Sequence, residues 1–382
     1  MSLDAPLKGL KVLELARVLA GPWIGQTLAD LGAEVIKIES PQGDDTRRWG
    51  PPWIEARGEQ AAAYFHACNR GKRSVVLDLK TASGREAAQR LAARSDVMIE
   101  NFKRGGLEKY GLDYAALRPA NPGLVYCSIT GFGQTGPYAD RPGYDFIIQG
   151  MGGLMSVTGE AEGAPQKVGV AIADLVTGLY GVIAVQAALA QRARTGEGQH
   201  IDLALLDCLT GVLANQAMNY FATGTSPRRH GPGHANIVPY QVFETADGHL
   251  ILAVGNDGQF ARLCDVLGLD LAHDDRFATN PARLAHRELL IPMIEARTRT
   301  FTRDALLAAC EARGVPAGPI NTLADVFADP QIQARGLQIA PQGVPGLRSP
   351  LNFSESGLAL ERASPRLGEH TEEVLAEIEL SP

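Results

Sequence analysis

Basic residues are in the minority: 36 Lys and Arg stand against 43 Asp and Glu, a net charge of −7. A protein that neutralises nucleic-acid phosphates needs a basic face, so no nucleic-acid partner is expected. Cysteine is scarce. The five, at positions 68, 127, 208, 264 and 310, are scattered and never form a Cys-x-x-Cys pair, which argues against a disulfide framework or a zinc knuckle. The eight histidines are equally dispersed, without a His-Glu-x-x-His, so no metal is expected. Free thiols point to a reducing compartment, the cytoplasm. No stretch is read as the roughly 18 apolar residues of a membrane span. Met1-Ser2-Leu3-Asp4-Ala5-Pro6 has neither the basic start nor the apolar core of a signal peptide. The lysine-bearing phosphate loop of nucleotide hydrolases is also missing.

Glycine, by contrast, is abundant: 42 of 382 residues, against a usual share of about 7%. Hydrophobic residues make up 45%, enough for a sizeable core, and the length suggests two domains at about 150 residues each. Short apolar runs at Lys11–Leu15, Glu34–Glu39, Ser74–Leu79, Asp96–Glu100 and Leu124–Ile129 alternate with helical patterns such as Trp23–Leu31 and Gly84–Arg94. Strands separated by helices of this length imply βαβ crossovers and a largely parallel sheet, an α/β fold. Val168–Ala173 reads as a further strand-like run and Asp174 to about Arg194 as an apolar helix. Beyond a polar Gly/Pro/His loop at 223–239, Ala246-Asp247-Gly248 between two apolar runs predicts a β-hairpin. Helices follow over 259–267, 283–299 (with a break at Pro292) and 302–313, and Val315–Pro319 marks a second boundary.

Two motifs compete for the chemistry. Gly131-Phe132-Gly133-Gln134-Thr135-Gly136 follows a strand, but Pro137, Pro142 and Gly143 leave no room for the helix that a dinucleotide fingerprint must open. Asp174 follows the Val168–Ala173 run and opens a helix. From spacing it reads first as an N-cap, which is compatible with an ionised nucleophile held by the helix dipole. Arg47, Arg48, Arg73, Lys80, Arg104 and Lys109 fall near strand ends, where an open parallel sheet binds its ligands.

The runs PLKGLKVLELARVLAGP, LGAEVIKIE, GDDTRRWGPP, NRGKRSVVLDLK, DVMIENF, GYDFIIQGMGGLMSVTG, VAIADLVTGLY and LGEHTEEVL together resemble the family III CoA-transferases (CaiB/BaiF type). That resemblance implies a large Rossmann-like domain from residues 1–205, a linker at 206–239, a smaller α+β domain at 240–315, and a return of 316–382 to the large domain. It also implies an interlocked ring homodimer. Asp174 is then the catalytic nucleophile, forming an aspartyl–acyl anhydride and an aspartyl-CoA thioester. Val18, Leu19, Lys80, Asn101, Phe102 and Lys109 match CoA-binding positions. Trp49 and Tyr64 match the acyl pocket, and Gly231 and Gly233 the substrate-covering loop, read here as His230-Gly231-Pro232-Gly233-His234. Coenzyme A is a co-substrate and no tightly bound cofactor is implied. Leu19 and Ser40 stand where formyl-CoA transferase carries glutamine and arginine, against a formyl-CoA–oxalate exchange. YCSITGFGQTGP and GHANIVPYQVFETADG are similar to the branch that uses succinyl-CoA and C4–C6 dicarboxylates. A diacid calls for a cation, and Arg47 and Arg48 are the candidates. Two other readings stand beside this one. The related α-methylacyl-CoA racemases carry a histidine where this chain has Tyr144, a poor base at neutral pH. A non-catalytic CoA-binding protein would share the same motifs.

Overall fold

Val12 and Leu13, neighbours on β1 (Lys11–Glu14), are both fully buried but in different hydrophobic clusters. A strand turns successive side chains to opposite faces, so a sheet covered on both sides needs near-continuous apolar runs. The same division recurs at Met98 and Ile99 on β6 (Val97–Glu100). In the computed structural model, which describes residues 4–379, β2 (Glu34–Glu39), β5 (Arg73–Val76), β7 (Val125–Thr130) and β8 (His200–Ala204) complete a six-stranded parallel sheet of order β5-β2-β1-β6-β7-β8. A small antiparallel hairpin, β3 (Trp53–Ala56) with β4 (Glu59–Ala62), interrupts the run between β2 and β5. The α/β expectation is met. The outermost residues of the expected end segments, 1–3 and 380–382, lie outside the described range.

Helix Ala20–Asp30 covers one face through Ile24 and Leu28, and helix Ile172–Thr195 packs against it. Their approach depends on small residues: a Cβ at Gly181 would lie 2.2 Å from Ile24 Cδ1, and one at Gly178 would lie 2.9 Å from the Trp23 ring. Helix Ala82–Ala93 covers the opposite face with Ala88, Leu91 and Ala92, joined by Val374 and Ile378 from the C-terminal helix Thr371–Glu379.

Three local expectations need correction. Helix Ile172–Thr195 has 24 residues and holds an 18-residue stretch with a mean hydropathy of 1.7, long and apolar enough to cross a membrane by length and composition. Apolar residues occupy both its sides: Ala173, Val185 and Ala188 enter the core, while Leu179 and Ile183 are exposed. The run 168–171 is a loop rather than a strand, since Gln149 Oε1 takes the Val168 N–H at 2.9 Å in place of a neighbouring strand. Finally, helix Arg287–Thr298 runs through Pro292, and the break falls at His286, after helix Asn280–Ala285.

The described chain forms two compact units. The first comprises 1–154, 168–213 and 330–382, and the second 155–167 and 214–329. The domain edges read from sequence fall at 205, 239 and 315. The second unit contains the antiparallel sheet β11-β10-β9, from β9 (Tyr240–Thr245), β10 (Gly248–Ala253) and β11 (Ala317–Pro319). β9 and β10 pair around Ala246-Asp247, as the hairpin signal predicts. Phe243, Leu250, Phe260, Leu263 and Leu306 form its core. Arg283, fully buried, donates to the Val238 and Phe277 carbonyls and pairs with Asp257.

Gly181→Val would push two methyl groups into Ile24. Overpacking of this kind costs about 1–3 kcal/mol, so the urea midpoint of this variant should fall. An unchanged midpoint would show that the two helices do not need this close approach.

Candidate active site

β1 is where the strand order reverses: β2 and β5 lie to one side of it, β6 to β8 to the other. Ligands of open parallel sheets bind at the carboxyl edge beside such a switch point. A cleft of about 640 Å³ opens there, walled by Val18, Leu19 and Ala20 after β1, Asn101 and Phe102 after β6, Thr130 and Gly131 at the end of β7, and Asp174. The segments after β7 cross closely: a Cβ at Gly131 would sit 2.5 Å from the Gly143 Cα, so neither position tolerates a side chain.

Asp174 is the third residue of its helix, and the N-cap position is held by Ala171, which has no side chain to cap with. The N-cap reading of Asp174 is therefore corrected. Its carboxyl group is pushed up to about 7, first by burial and then by the nearby Asp145 carboxylate. Neither a cation nor a hydrogen bond offsets the two. The expectation of a carboxylate held firmly ionised by the helix dipole gives way to one poised near neutrality.

Asp145 is the residue that sequence reasoning missed. The reading of Gly143-Tyr144-Asp145 turned on the tyrosine, which is exposed, whereas the aspartate is built in. Its Oδ1 accepts from the Ala173 N–H at 2.8 Å and its Oδ2 from Gln149 Nε2 at 2.8 Å. The second carboxylate thus ties helix Asp145–Met151 to the start of the Asp174 helix. Only the triplet's position just before a helix signalled it. Tyr64 also meets this acidic centre: its phenol is pushed up to about 12 by burial, with Asp174 and Asp145 adding to the shift. Trp49 packs edge-on to Tyr64 at 5.3 Å.

The other sequence-derived positions divide. Val18, Leu19, Asn101, Phe102 and Lys109 all line the cleft, where Arg17, Lys103, Arg104 and Arg141 add positive charge. Asn101 faces the chain as well as the cleft: its Oδ1 accepts from the Arg17 N–H at 2.9 Å and its Nδ2 donates to the Arg17 carbonyl at 2.7 Å. Lys80 is exposed after the edge strand β5, outside the lining. Arg47 is a correction. It is buried, grips Glu39 with two hydrogen bonds of 2.8 and 2.7 Å, and lies over the Phe65 ring. A guanidinium so engaged has no free edge for a substrate carboxylate. Arg48 is exposed but folds back on Asp45 and the Gln42 carbonyl. Gly231 and Gly233 belong to the second unit, where Gly231 adopts φ +56° and donates to the Gly159 carbonyl at 3.1 Å.

Comparison with known proteins places the chain as a whole. The family model described as CoA-transferase family III matches residues 7–371. This chain belongs to CoA-transferase family III. It is 60% identical to the succinate–glutarate CoA-transferase of Agrobacterium fabrum, over 98% of this chain and 96% of that protein. It is 40% identical to the human succinyl-CoA:glutarate CoA-transferase, over 98% of this chain and 86% of that protein. The crystal structure of a CaiB/BaiF family protein from Brucella suis superposes with a TM-score of 0.90 at 64% identity, covering 98% of this chain and all of that one.

The Asp174 value sets a pH test. If the ionised form reacts, kcat/KM should rise with pH through a midpoint near about 7. Asp145→Asn removes the neighbouring charge and should move that midpoint to lower pH. A profile flat from about pH 5.5 to 8.5, or one that Asp145→Asn does not shift, would show that this carboxylate does not limit the reaction.

Proposed function

We propose that this family III CoA-transferase moves CoA from succinyl-CoA to glutarate or a related C4–C6 dicarboxylate, with Asp174 as the nucleophile. The observation that carries the reading is Asp174 itself, a carboxylate in the cleft wall with burial and Asp145 raising its basicity. The substrate pair is supported by the activities named for the two transferases to which the chain is similar.

The steps follow from the chemistry of a carboxylate and a thioester. An Asp174 oxygen attacks the thioester carbonyl, the C–S bond breaks, and CoA leaves as thiolate from a mixed anhydride. The thiolate attacks Cγ of Asp174 and expels succinate, leaving an aspartyl-CoA thioester. The acceptor carboxylate attacks the same carbon, the thiolate leaves, and it then attacks the acceptor's acyl carbon to free Asp174. Every bond broken is replaced, so CoA is a co-substrate and no tightly bound cofactor is required. Water must be kept out, because anhydride and thioester both hydrolyse. The cations at the mouth suit the phosphates of CoA. Among them, Arg141 lies 3.9 Å over the Tyr138 ring with no acidic partner among the described residues.

In this reading the first unit holds acyl-CoA, Trp49 and Tyr64 flank the acyl group, and Lys80 reaches the nucleotide end. Gly231 and Gly233 match the family's substrate-covering loop by sequence pattern alone. A homodimer is supported by exposed apolar side chains on two helices of the first unit: Phe146, Ile147 and Met151 on one, Leu179 and Ile183 on the other. Five buried thiols favour a reducing, cytoplasmic compartment. The close packing of helix Ile172–Thr195 on Ile24 favours a place inside the folded unit over one in a bilayer.

Asp174→Asn should keep the fold and lose several orders of magnitude in turnover, the scale on which removal of a nucleophile acts. Linkage adds a stability signature. A carboxyl group whose folded pKa is raised favours the fold at low pH, and that advantage is lost as pH rises through about 7. The Asn variant should thus match or exceed wild type in stability above pH 7. Wild type incubated with succinyl-CoA and then hydroxylamine should carry one aspartyl hydroxamate, at Asp174, by peptide mass spectrometry. Retention of more than about a tenth of the activity, a barrier change under roughly 1.4 kcal/mol, would rule Asp174 out. No CoA transfer to any C4–C6 diacid would remove the substrate assignment alone.

A further inference from the structure

Four non-glycine residues among those described have positive φ, and Val18, at +73°, is one of them. For a β-branched residue this is a genuine outlier, because its side chain crowds the backbone there, and such strain persists only where the surroundings enforce it. The enforcement is visible. Val18 N–H donates to both oxygens of Asp44, at 3.3 and 3.4 Å, and its carbonyl accepts from Cys68 Sγ at 3.4 Å. Asp44 is itself buried and multiply bonded. Lys37 Nζ lies 3.1 Å from its Oδ2, and the Thr46 N–H and Oγ1 donate to its Oδ1 at 3.0 and 2.8 Å. One residue earlier, the Asn101 side chain, just after β6, clamps the Arg17 backbone. The next residues, Leu19 and Ala20, lead into a helix and share the cleft wall with Asp174.

We propose that Asp44 is a positioning residue for CoA transfer: by holding Val18 in the left-handed conformation it sets the Val18–Ala20 wall of the cleft that contains Asp174. The proposal rests on reading that cleft as the acyl-CoA site. Asp44 touches no substrate; it acts through the Val18 backbone. The strain gives the test its leverage, since glycine adopts the same conformation without crowding. At a glycine the hold matters less.

The experiment is a double-mutant cycle in kcat and KM over wild type, Asp44→Asn, Val18→Gly and the pair. With Val18 in place, Asp44→Asn should lower kcat about tenfold or more, with a smaller change in KM. In the Val18→Gly background the same substitution should cost less than about threefold. Asp44→Asn also leaves Lys37 short of a partner and could fail to fold. The milder Thr46→Ala, which removes one bond orienting Asp44 but keeps the ion pair, should give the same pattern at a few-fold scale. Equal losses in both backgrounds, or losses that follow the urea midpoint alone, would overturn the proposal. An active Asp174→Asn would instead strike at the nucleophile, leaving the Asp44–Val18 coupling to be read independently.

Discussion

The Glu14 carboxylate, with no exposed surface, lies between two equally buried ammonium groups. Lys37 Nζ is 3.0 Å away and Lys72 Nζ is 2.8 Å away. Much of the first unit depends on this constraint. Glu14 ends β1, Lys37 is on β2, and Lys72 leads into β5, so the cluster joins three adjacent strands near the edge where the cleft opens. Glu39, Asp44 and Arg47 extend it to three acids against three bases, each nearly or fully buried. Desolvating six charges is expensive, and losing one partner of a buried pair typically costs about 3–5 kcal/mol. The arrangement holds because each charge is met. Burial alone would push the Lys37 ammonium down, yet Glu14, Asp44 and Glu39 together carry it above its ordinary value. Burial likewise opposes ionisation of Glu39 and Asp44, but Arg47 and Lys37 bring both below theirs.

Asp174 shows the same forces without the compensation. Burial raises it as it does the others, but its charged neighbour is another acid rather than a cation. Cations lower Glu39 and Asp44, whereas among the described residues none lowers Asp174 or Glu100, both pushed up to about 7 by burial. Glu39 and Asp44 hold the backbone in place, and Asp174 is left basic and uncompensated at the cleft wall. The strained Val18 and the uncompensated Asp174 line the same cleft, and well-satisfied groups elsewhere offset their cost.

Fold class and the outline of the site were legible in the chain because they depend on local pattern. Apolar runs of strand length, separated by helices, dictate a parallel sheet whatever the details. A parallel sheet in turn places the segments after Glu14, Glu100 and Thr130 at one edge. The runs that hold Asn101 and Asp174, taken with the other family-like runs, were enough to indicate a CoA-transferase.

What the order of residues could not reveal was which charges would neutralise one another. Arg47 sits in a basic, loop-like stretch that looks free for a substrate, but β2 brings Glu39 beneath it and the guanidinium is consumed there. Asp145 is 29 positions from Asp174, a distance only folding closes, and its effect on Asp174 depends on the burial of that site. Helix Ile172–Thr195 reads simply as an apolar helix from its pattern, and only its packing leaves Leu179 and Ile183 uncovered. The left-handed turn at Val18 is likewise invisible in sequence, since nothing about valine invites it. Periodicity and local propensity act within a few residues and are written along the chain. Ion pairing, pKa and backbone strain are set by neighbours in space, and those were decided by the tertiary structure alone.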